Sequence, residues 1–439
     1  MINLQIREKS NFEYFEKKIS GLSKEEIIEH YLAYIEQHVV LDDKYGFNES
    51  IDKNYIIDQI KKCESQKTLS YIPFGIKDVF NTKVLPTSMG SQIWKGFNAG
   101  NNARAIDNLV FNGGIIFSKT TTAEFAVHFI SPGKTKNPYN INHITGTSSS
   151  GSAVAVACGA LPVALGTQTA GSIIRPASFC GVYGFKPSFG AIDRTGVLKT
   201  NDTFDTIGLL SADIYGIKKT FYNIFQKGKD YPYSINFFEN FEKYNKRSTK
   251  LKIGILDNSL KVFKNFANDI MTDFELVVKI IEEKHEIQEI KSVQFLNEIH
   301  PIHEEMYAKS LSYYFQNEIK QNESISDIML EMIKKGENIT AEKYIKISKL
   351  QPGITNKMNE IFKQVDFIIV PSTASSAPKV GNNEIDDTCL IWTFLGFPSI
   401  TIPLFTDNNN LPFGLQIISK KYDDFALLEF SERLQKLFF

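Results

Sequence analysis

Residues 146–190 constrain this chain more than any other stretch. They hold eight glycines in forty-five positions, where 27 in 439 would place about three. Only Arg175 and Lys186 are charged there, where the overall 23% would give about ten. Glycine lets backbone approach backbone closely and turn sharply, and a run without charge belongs in an interior. The segment therefore predicts a tightly packed interior crossed by loops, with five serines set close to glycines: Ser148, Ser149, Ser150, Ser152 and Ser172. Its longest small and apolar run, Ala153–Gly166, is broken by Gly159 and Pro162 and is too short to span a bilayer.

Around this segment the texture alternates. Short apolar runs at Tyr71–Ile76, Gly114–Phe117 and Leu161–Leu165 are separated by helical patterns such as Ala105–Phe111. That alternation predicts an α/β fold with helices on the faces of a sheet. Before it, Ser23 and Glu26 form a capping box ahead of Ile27, Ile28, Tyr31, Leu32 and Ile35 at helical spacing. From about Asp213 to Val365 the chain turns rich in Lys, Glu and Asn, with helical periodicity at Ile270–Ile281 and at Ile325, Ile328, Met329 and Met332. A strand-like run at Leu251–Ile255 interrupts it. Strand texture returns at Phe367–Val370, Ser399–Leu404 and Phe413–Ile418, and an amphipathic helix covers Asp423–Leu437. With no internal repeat and no long Pro- or Ser-rich linker, one large domain is expected over 1–439. Its parts are an N-terminal helical portion (1–60), a core (70–210), a largely helical insertion (213–365) and a C-terminal core (366–439).

Net charge is −1, so no global field recruits nucleic acid or anionic lipid. Cys63, Cys158, Cys180 and Cys389 include no CxxC pair, which removes zinc-ribbon and thioredoxin-type chemistry and fits a reducing compartment. The first residues show scattered charges and no apolar h-region, so a cytoplasmic protein is expected.

The chain has no G-x-S-x-G elbow, no H-E-x-x-H and no Walker A sequence; Lys119-Thr120 follows Ser118 where a P-loop needs glycine. His300, His303 and Glu304 read as a solvated helix start rather than a metal face. His128 and His143 flank the serine-rich segment as candidate bases, but neither sits in a telling acidic pattern. The serines gain meaning from the residues after them: Gly166-Thr167-Gln168-Thr169-Ala170-Gly171-Ser172, then Arg175-Pro176-Ala177, then Cys180-Gly181 and Gly184-Phe185-Lys186-Pro187. A glycine directly before a serine exposes the hydroxyl on a turn, and successive N–H groups of that turn can form an oxyanion nest. Without a histidine, the base of choice is a desolvated lysine, whose lowered pKa supplies neutral amine near neutral pH. Lys77, after the apolar run Pro73-Phe74-Gly75-Ile76, fits that role.

These motifs together strongly resemble the amidase signature family of serine hydrolases. The family's glycine- and serine-rich signature corresponds to Gly146 through Pro176, its lysine motif to Pro73–Asp78, and its Lys-Thr-rich segment to Lys119–Phe125. Its C-terminal pattern corresponds to Trp392–Pro398 and Leu411–Gln416. The resemblance implies a large mixed, twisted sheet flanked by helices on both faces. It also implies a Ser–cis-Ser–Lys triad of Ser172 (nucleophile), Ser148 (bridge, after a cis peptide) and Lys77 (base). The N–H groups of Thr169, Ala170, Gly171 and Ser172 would form the oxyanion hole, and no cofactor or metal is called for.

Three features depart from the common family pattern. Gln168 stands where many members carry Asp, and Ala170-Gly171 replaces two glycines; Arg175 also lies three rather than two residues after the nucleophile. This form resembles stand-alone amidases. The expected activity is therefore hydrolysis of a small-molecule carboxamide, with no nucleic-acid or membrane partner and with a homodimer left open. The alternative is the glutaminase A subunit of a tRNA-dependent amidotransferase. A non-catalytic binding module is the third reading, and the retained Lys77, Ser148 and Ser172 speak against it. For other residues the expectations are structural. Asp78 either orients Lys77 or caps a turn, Arg175 supports the nucleophile loop or meets a carboxylate, and Glu124 anchors backbone. Trp94, Phe129, Tyr139, Trp392 and Phe394 are candidate pocket aromatics that a chain with 34 Phe and 18 Tyr more readily places in its core.

Overall fold

Continuous runs of β-branched and aromatic residues cannot leave either side in water, so strands such as Pro73–Lys77 and Phe367–Pro371 must be covered on both faces. In the computed structural model, which describes residues 11–127, 133–226 and 250–438, they are. Eleven strands form one mixed sheet: β1 (Asn48–Ile51), β2 (Pro73–Lys77), β3 (Ile115–Thr120), β4 (Val163–Gln168), β5 (Tyr183–Lys186), β6 (Thr206–Ser211), β7 (Lys252–Leu256), β8 (Glu286–Ile290), β9 (Phe367–Pro371), β10 (Ser399–Thr406) and β11 (Pro412–Ile418). Their spatial order is β1-β3-β2-β4-β6-β5-β10-β11-β9-β7-β8. The β3-β2-β4 and β9-β7-β8 neighbours are parallel and the remaining pairs antiparallel. Along β9, Phe367 and Ile369 join one apolar cluster and Ile368 and Val370 the other, as alternation on a doubly covered strand requires.

The helices follow the sequence signals closely. Ser23 caps Lys24–Tyr45 with both bonds of the capping box to Glu26. Arg104–Phe111, Asn268–Glu282, Asp327–Glu337 and Asp424–Gln435 stand where periodicity places helices. The insertion does more than add a helical layer, however. Its β7 pairs with β9 and its β8 with β7, so it extends the main sheet by two strands. Glu286-Ile287-Gln288-Glu289-Ile290 escapes sequence reading because this edge strand keeps charged residues exposed.

The glycine- and serine-rich segment becomes the helix Ser150–Ala157, buried at all eight positions and packed against β2, β3, β4 and β6. Small residues permit this approach. A Cβ on Gly151 would lie 2.4 Å from Thr121 N and 2.5 Å from Phe47 O. Ser152 Oγ lies 2.7 Å from Thr120 Oγ1 and donates to Leu165 O at 2.9 Å, so the polar groups of the segment are satisfied inside the protein.

Candidate active site

Parallel neighbours β2 and β4 end at the same edge, and open α/β sheets bind ligands beyond the carboxyl ends of their strands. Lys77 is the last residue of β2, and Thr167 lies at the end of β4. Lys77 is 0% exposed, and its Nζ lies 2.7 Å from Ser148 Oγ, 3.1 Å from Ser149 Oγ and 2.9 Å from Thr167 Oγ1. A neutral amine offers two donors and one lone pair, which three hydroxyl neighbours satisfy. Ser149 Oγ donates to Thr167 O at 3.2 Å, so it takes a proton from Lys77 and leaves the lone pair to Ser148 or Thr167. Burial pushes the Lys77 pKa well below its ordinary value, with Asp205 opposing at longer range.

Ser148 is buried and follows a cis peptide bond from Thr147. Lys77 and Ser148 are thus joined as the family resemblance implies. Ser172 sits half-buried in the turn between β4 and the helix Ile174–Phe179, and its hydroxyl makes no hydrogen bond to a described residue. In the same turn the N–H groups of Thr169, Ala170, Gly171 and Ser172 have no acceptor among the described residues. Successive peptide donors beside a hydroxyl left free make an arrangement suited to holding an oxyanion.

Gln168 explains how the departing sequence still shapes this turn. Its Oε1 accepts from Ile173 N at 2.7 Å and Ile174 N at 3.0 Å, while its Nε2 donates to Thr393 Oγ1 at 2.8 Å. The amide thereby caps the helix after Ser172 without introducing a charge.

Arg175 acts within the protein. Its Nε and Nη2 fork onto Asp387 at 2.8 and 3.2 Å, and its Nη1 donates to Glu384 Oε2 at 2.5 Å. Glu384 Oε1 in turn accepts from Thr147 N at 3.0 Å and Thr147 Oγ1 at 3.1 Å. One ion-pair network therefore ties the helix after Ser172 to the peptide before Ser148. Sequence reading missed Glu384, Asp387, Ser149 and Thr167 in these roles. The Ser-rich run and its distance from the C-terminal acids offered no pairing signal. Gly171 is required beneath the network, because a Cβ there would lie 2.8 Å from Arg175 Cζ and Nη2. The guanidinium is locked by two carboxylates and cannot swing away cheaply. Gly171→Ala is expected to cost about 1–3 kcal/mol, read as a lower denaturation midpoint.

The remaining candidates fall in structural places. Asp78 does not touch Lys77; it forms a fully buried ion pair with Lys119 at 3.0 Å and accepts from Ser88 N. Lys119 Nζ donates to Phe80 O at 2.8 Å and Thr87 Oγ1 at 2.7 Å, holding the loop after β2. Glu124 accepts from Ser326 N, anchoring the start of an insertion helix. Lys186, brought down to about 7 by burial, donates to Phe397 O and Pro187 O. His143 Nδ1 lies 2.6 Å from Ala377 O, while His128 and Phe129 lie outside the described residues. Trp392 and Phe394 are core, Trp94 packs on Phe97, and Tyr139 is exposed. His303 corrects the expectation of a solvated helix start. It is 3% exposed, and its Nε2 meets Thr169 O at 2.9 Å. Pro301 is tolerated because it lies in the first turn of Ile299–Tyr314. Among the described residues, no group of three or more His, Cys, Asp and Glu converges to hold a metal, and no helix is long and apolar enough to cross a membrane.

Comparison with known proteins places the chain in a family. The A subunit of glutamyl-tRNA(Gln) amidotransferase from Clostridium botulinum strain Hall is 29% identical over 445 residues, covering 90% of each chain. An inhibitor-bound chain from a vestigial protein complex, related to the origins of an s-triazine catabolic enzyme, superposes with a TM-score of 0.84 at 21% identity, over 99% of this chain and 98% of that one. A crystal structure of an amidase superposes with a TM-score of 0.82 at 19% identity, over 100% of both chains. The two structural likenesses carry the fold. The family model named Amidase matches residues 26–428, and the chain belongs to the Amidase family.

Proposed function

We propose that this chain cleaves an amide C–N bond by acyl transfer to Ser172. In this reading Ser148 is the proton bridge, Lys77 the base, and the N–H groups of Thr169, Ala170, Gly171 and Ser172 the oxyanion donors. The observation that carries it is the 2.7 Å contact between Ser148 and a fully buried Lys77 that no carboxylate among the described residues contacts. Neutral Lys77 takes the Ser148 proton as Ser148 takes that of Ser172, and Ser172 Oγ bonds to the carbonyl carbon. The tetrahedral oxyanion rests on the peptide donors, where one such donor is typically worth about 3–4 kcal/mol. The C–N bond then breaks as the proton returns through Ser148 to the departing nitrogen. Water, deprotonated along the same relay, attacks the acyl-enzyme and releases a carboxylate. No step calls on a metal or organic cofactor.

Two substrate classes fit this chemistry. Hydrolysis of a small-molecule carboxamide is supported by the Gln168 and Ala170 form of the nucleophile turn. The glutaminase role of an amidotransferase A subunit is supported by the 29% identical relatives, which give it the stronger sequence support. Incubation with a fluorophosphonate, followed by peptide mass spectrometry, tests what the two share: an adduct is expected on the Ser172 peptide. A folded chain left unmodified there overturns the nucleophile assignment. Ammonia release from linear carboxamides by the chain alone supports the first class. Glutamine turnover confined to a complex with partner subunits supports the second.

Activity is expected to fall in acid as Lys77 takes up a proton. The unfolded lysine titrates at its ordinary value and the folded one well below it, so between the two the unfolded state binds more protons. Stability contributed by this group therefore rises with pH across that window, and lowering the pH removes it. The labelling rate of Ser172 against pH reads the same group directly. A flat profile would count against a lysine base.

A further inference from the structure

The peptide donors of the nucleophile turn are only useful if their planes are held. Every peptide there is trans, since the cis bond described is Thr147–Ser148, and in a trans peptide the N–H points opposite to the C=O of the same unit. The carbonyl of Thr169 shares its plane with Ala170 N–H, and the carbonyl of Ala170 shares its plane with Gly171 N–H. Both carbonyls are held by side chains from distant elements. His303 Nε2 lies 2.9 Å from Thr169 O, and a carbonyl only accepts, so the ring carries its proton on Nε2. Thr393 Oγ1 donates to Ala170 O at 2.6 Å. Thr393 accepts from Gln168 Nε2 at 2.8 Å, and its single proton faces two carbonyls, Ala170 O at 2.6 Å and Cys389 O of its own helix at 3.0 Å, of which the shorter contact is to Ala170.

We infer that His303 and Thr393 are positioning residues for the acyl-transfer reaction. Each pins one carbonyl of the nucleophile turn, and so turns the N–H groups of Ala170 and Gly171 away from the protein and toward the place where an oxyanion develops. This rests on the Ser172 acyl-enzyme reading and deepens it. The surroundings fit a fixed donor. His303 stacks on Phe204 with ring centroids 4.5 Å apart and 20° between planes, and burial pushes its pKa to about 4, so the ring stays neutral over the working range. Thr393 lies fully buried in the helix Cys389–Leu395. His303 comes from the insertion helix Ile299–Tyr314, which gives that insertion a part in the chemistry.

The test uses the fluorophosphonate on the full chain, because its P=O oxygen gains charge as the Ser172 O–P bond forms and fluoride leaves. His303→Phe keeps the stack on Phe204 and removes the donor, whereas His303→Gln keeps an N–H at comparable reach. Thr393→Val and Thr393→Ser form the matching pair. The maximal labelling rate constant is expected to fall by about tenfold or more in His303→Phe and Thr393→Val, short of the roughly 10²–10³ lost with an outright oxyanion donor. The half-saturating probe concentration should be unchanged, and His303→Gln and Thr393→Ser should recover most of the rate. Equal maximal rates in wild type, His303→Phe and Thr393→Val, with all three folded by circular dichroism, overturn the positioning role and leave Ser172 as nucleophile. Failure of His303→Gln and Thr393→Ser to recover any rate also overturns it, since packing alone would then explain the loss. If wild-type Ser172 takes no adduct, the acyl-enzyme reading fails, and the positioning role falls with it.

Discussion

Lys77→Ala is expected to slow phosphonylation of Ser172 by about 10²–10⁴, the range that general-base catalysis supplies. The reason is the inventory around Nζ. Its contacts within hydrogen-bond reach are Ser148, Ser149 and Thr167, and no described base other than Lys77 touches Ser148. In the proposed relay, removing the amine leaves Ser148 with no described acceptor for the proton it takes from Ser172. Because no carboxylate among the described residues contacts the buried amine, its loss removes no ion pair among them, and the fold should persist. Lys77→Met, which refills most of the volume, separates the loss of the base from the cavity left by alanine. A rate within threefold of wild type in folded Lys77→Met, on the order expected for mere repacking, would sink the triad.

Arg175→Met is expected to cost about 3–5 kcal/mol of stability, the penalty for leaving buried charges without their partner. Glu384 is 4% and Asp387 1% exposed at the side chain, and Arg175 forks between them. The loss would appear as a lower urea midpoint with an unchanged slope. Because Glu384 also holds Thr147, labelling of Ser172 should slow as well. Neutralising the partners in the combined variant Arg175→Met, Glu384→Gln, Asp387→Asn should recover part of the stability, because the carboxylates that Arg175 balanced then carry no charge. Wild-type stability in Arg175→Met would show that the carboxylates reach solvent or another cation. Arg175→Lys, keeping the charge without the fork, should fall between the two.

Most secondary structure was legible from periodicity, because strands covered on both faces and amphipathic helices write their burial into the sequence. The run Phe367–Val370 and the capping box at Ser23 are instances. The edge strand Glu286–Ile290 was not legible, since a strand with one solvated face in a Lys- and Glu-rich region resembles its helical neighbours. At the site, Lys77, Ser148 and Ser172 stood out by local motif. The ambiguity at Asp78 was resolved only in three dimensions: it pairs with Lys119, and no carboxylate among the described residues contacts Lys77.

By itself the sequence singled out the candidate residues for chemistry and required their segment to be interior. Glycine spacing and missing charge are local properties, and they restrict what the backbone can do wherever it lies. Only the tertiary structure decided what holds those residues in place. His303 reaches Thr169 across 134 positions, Glu384 reaches Thr147 across 237, and Thr393 reaches Ala170 across 223. Two of these three anchors end on a backbone carbonyl and the third on a backbone N–H together with the Thr147 hydroxyl, and main-chain groups are common to nearly every residue, so no side-chain pattern announces them. A hydrogen bond to the main chain depends on where the chain passes, and that is fixed by the packing of the whole sheet.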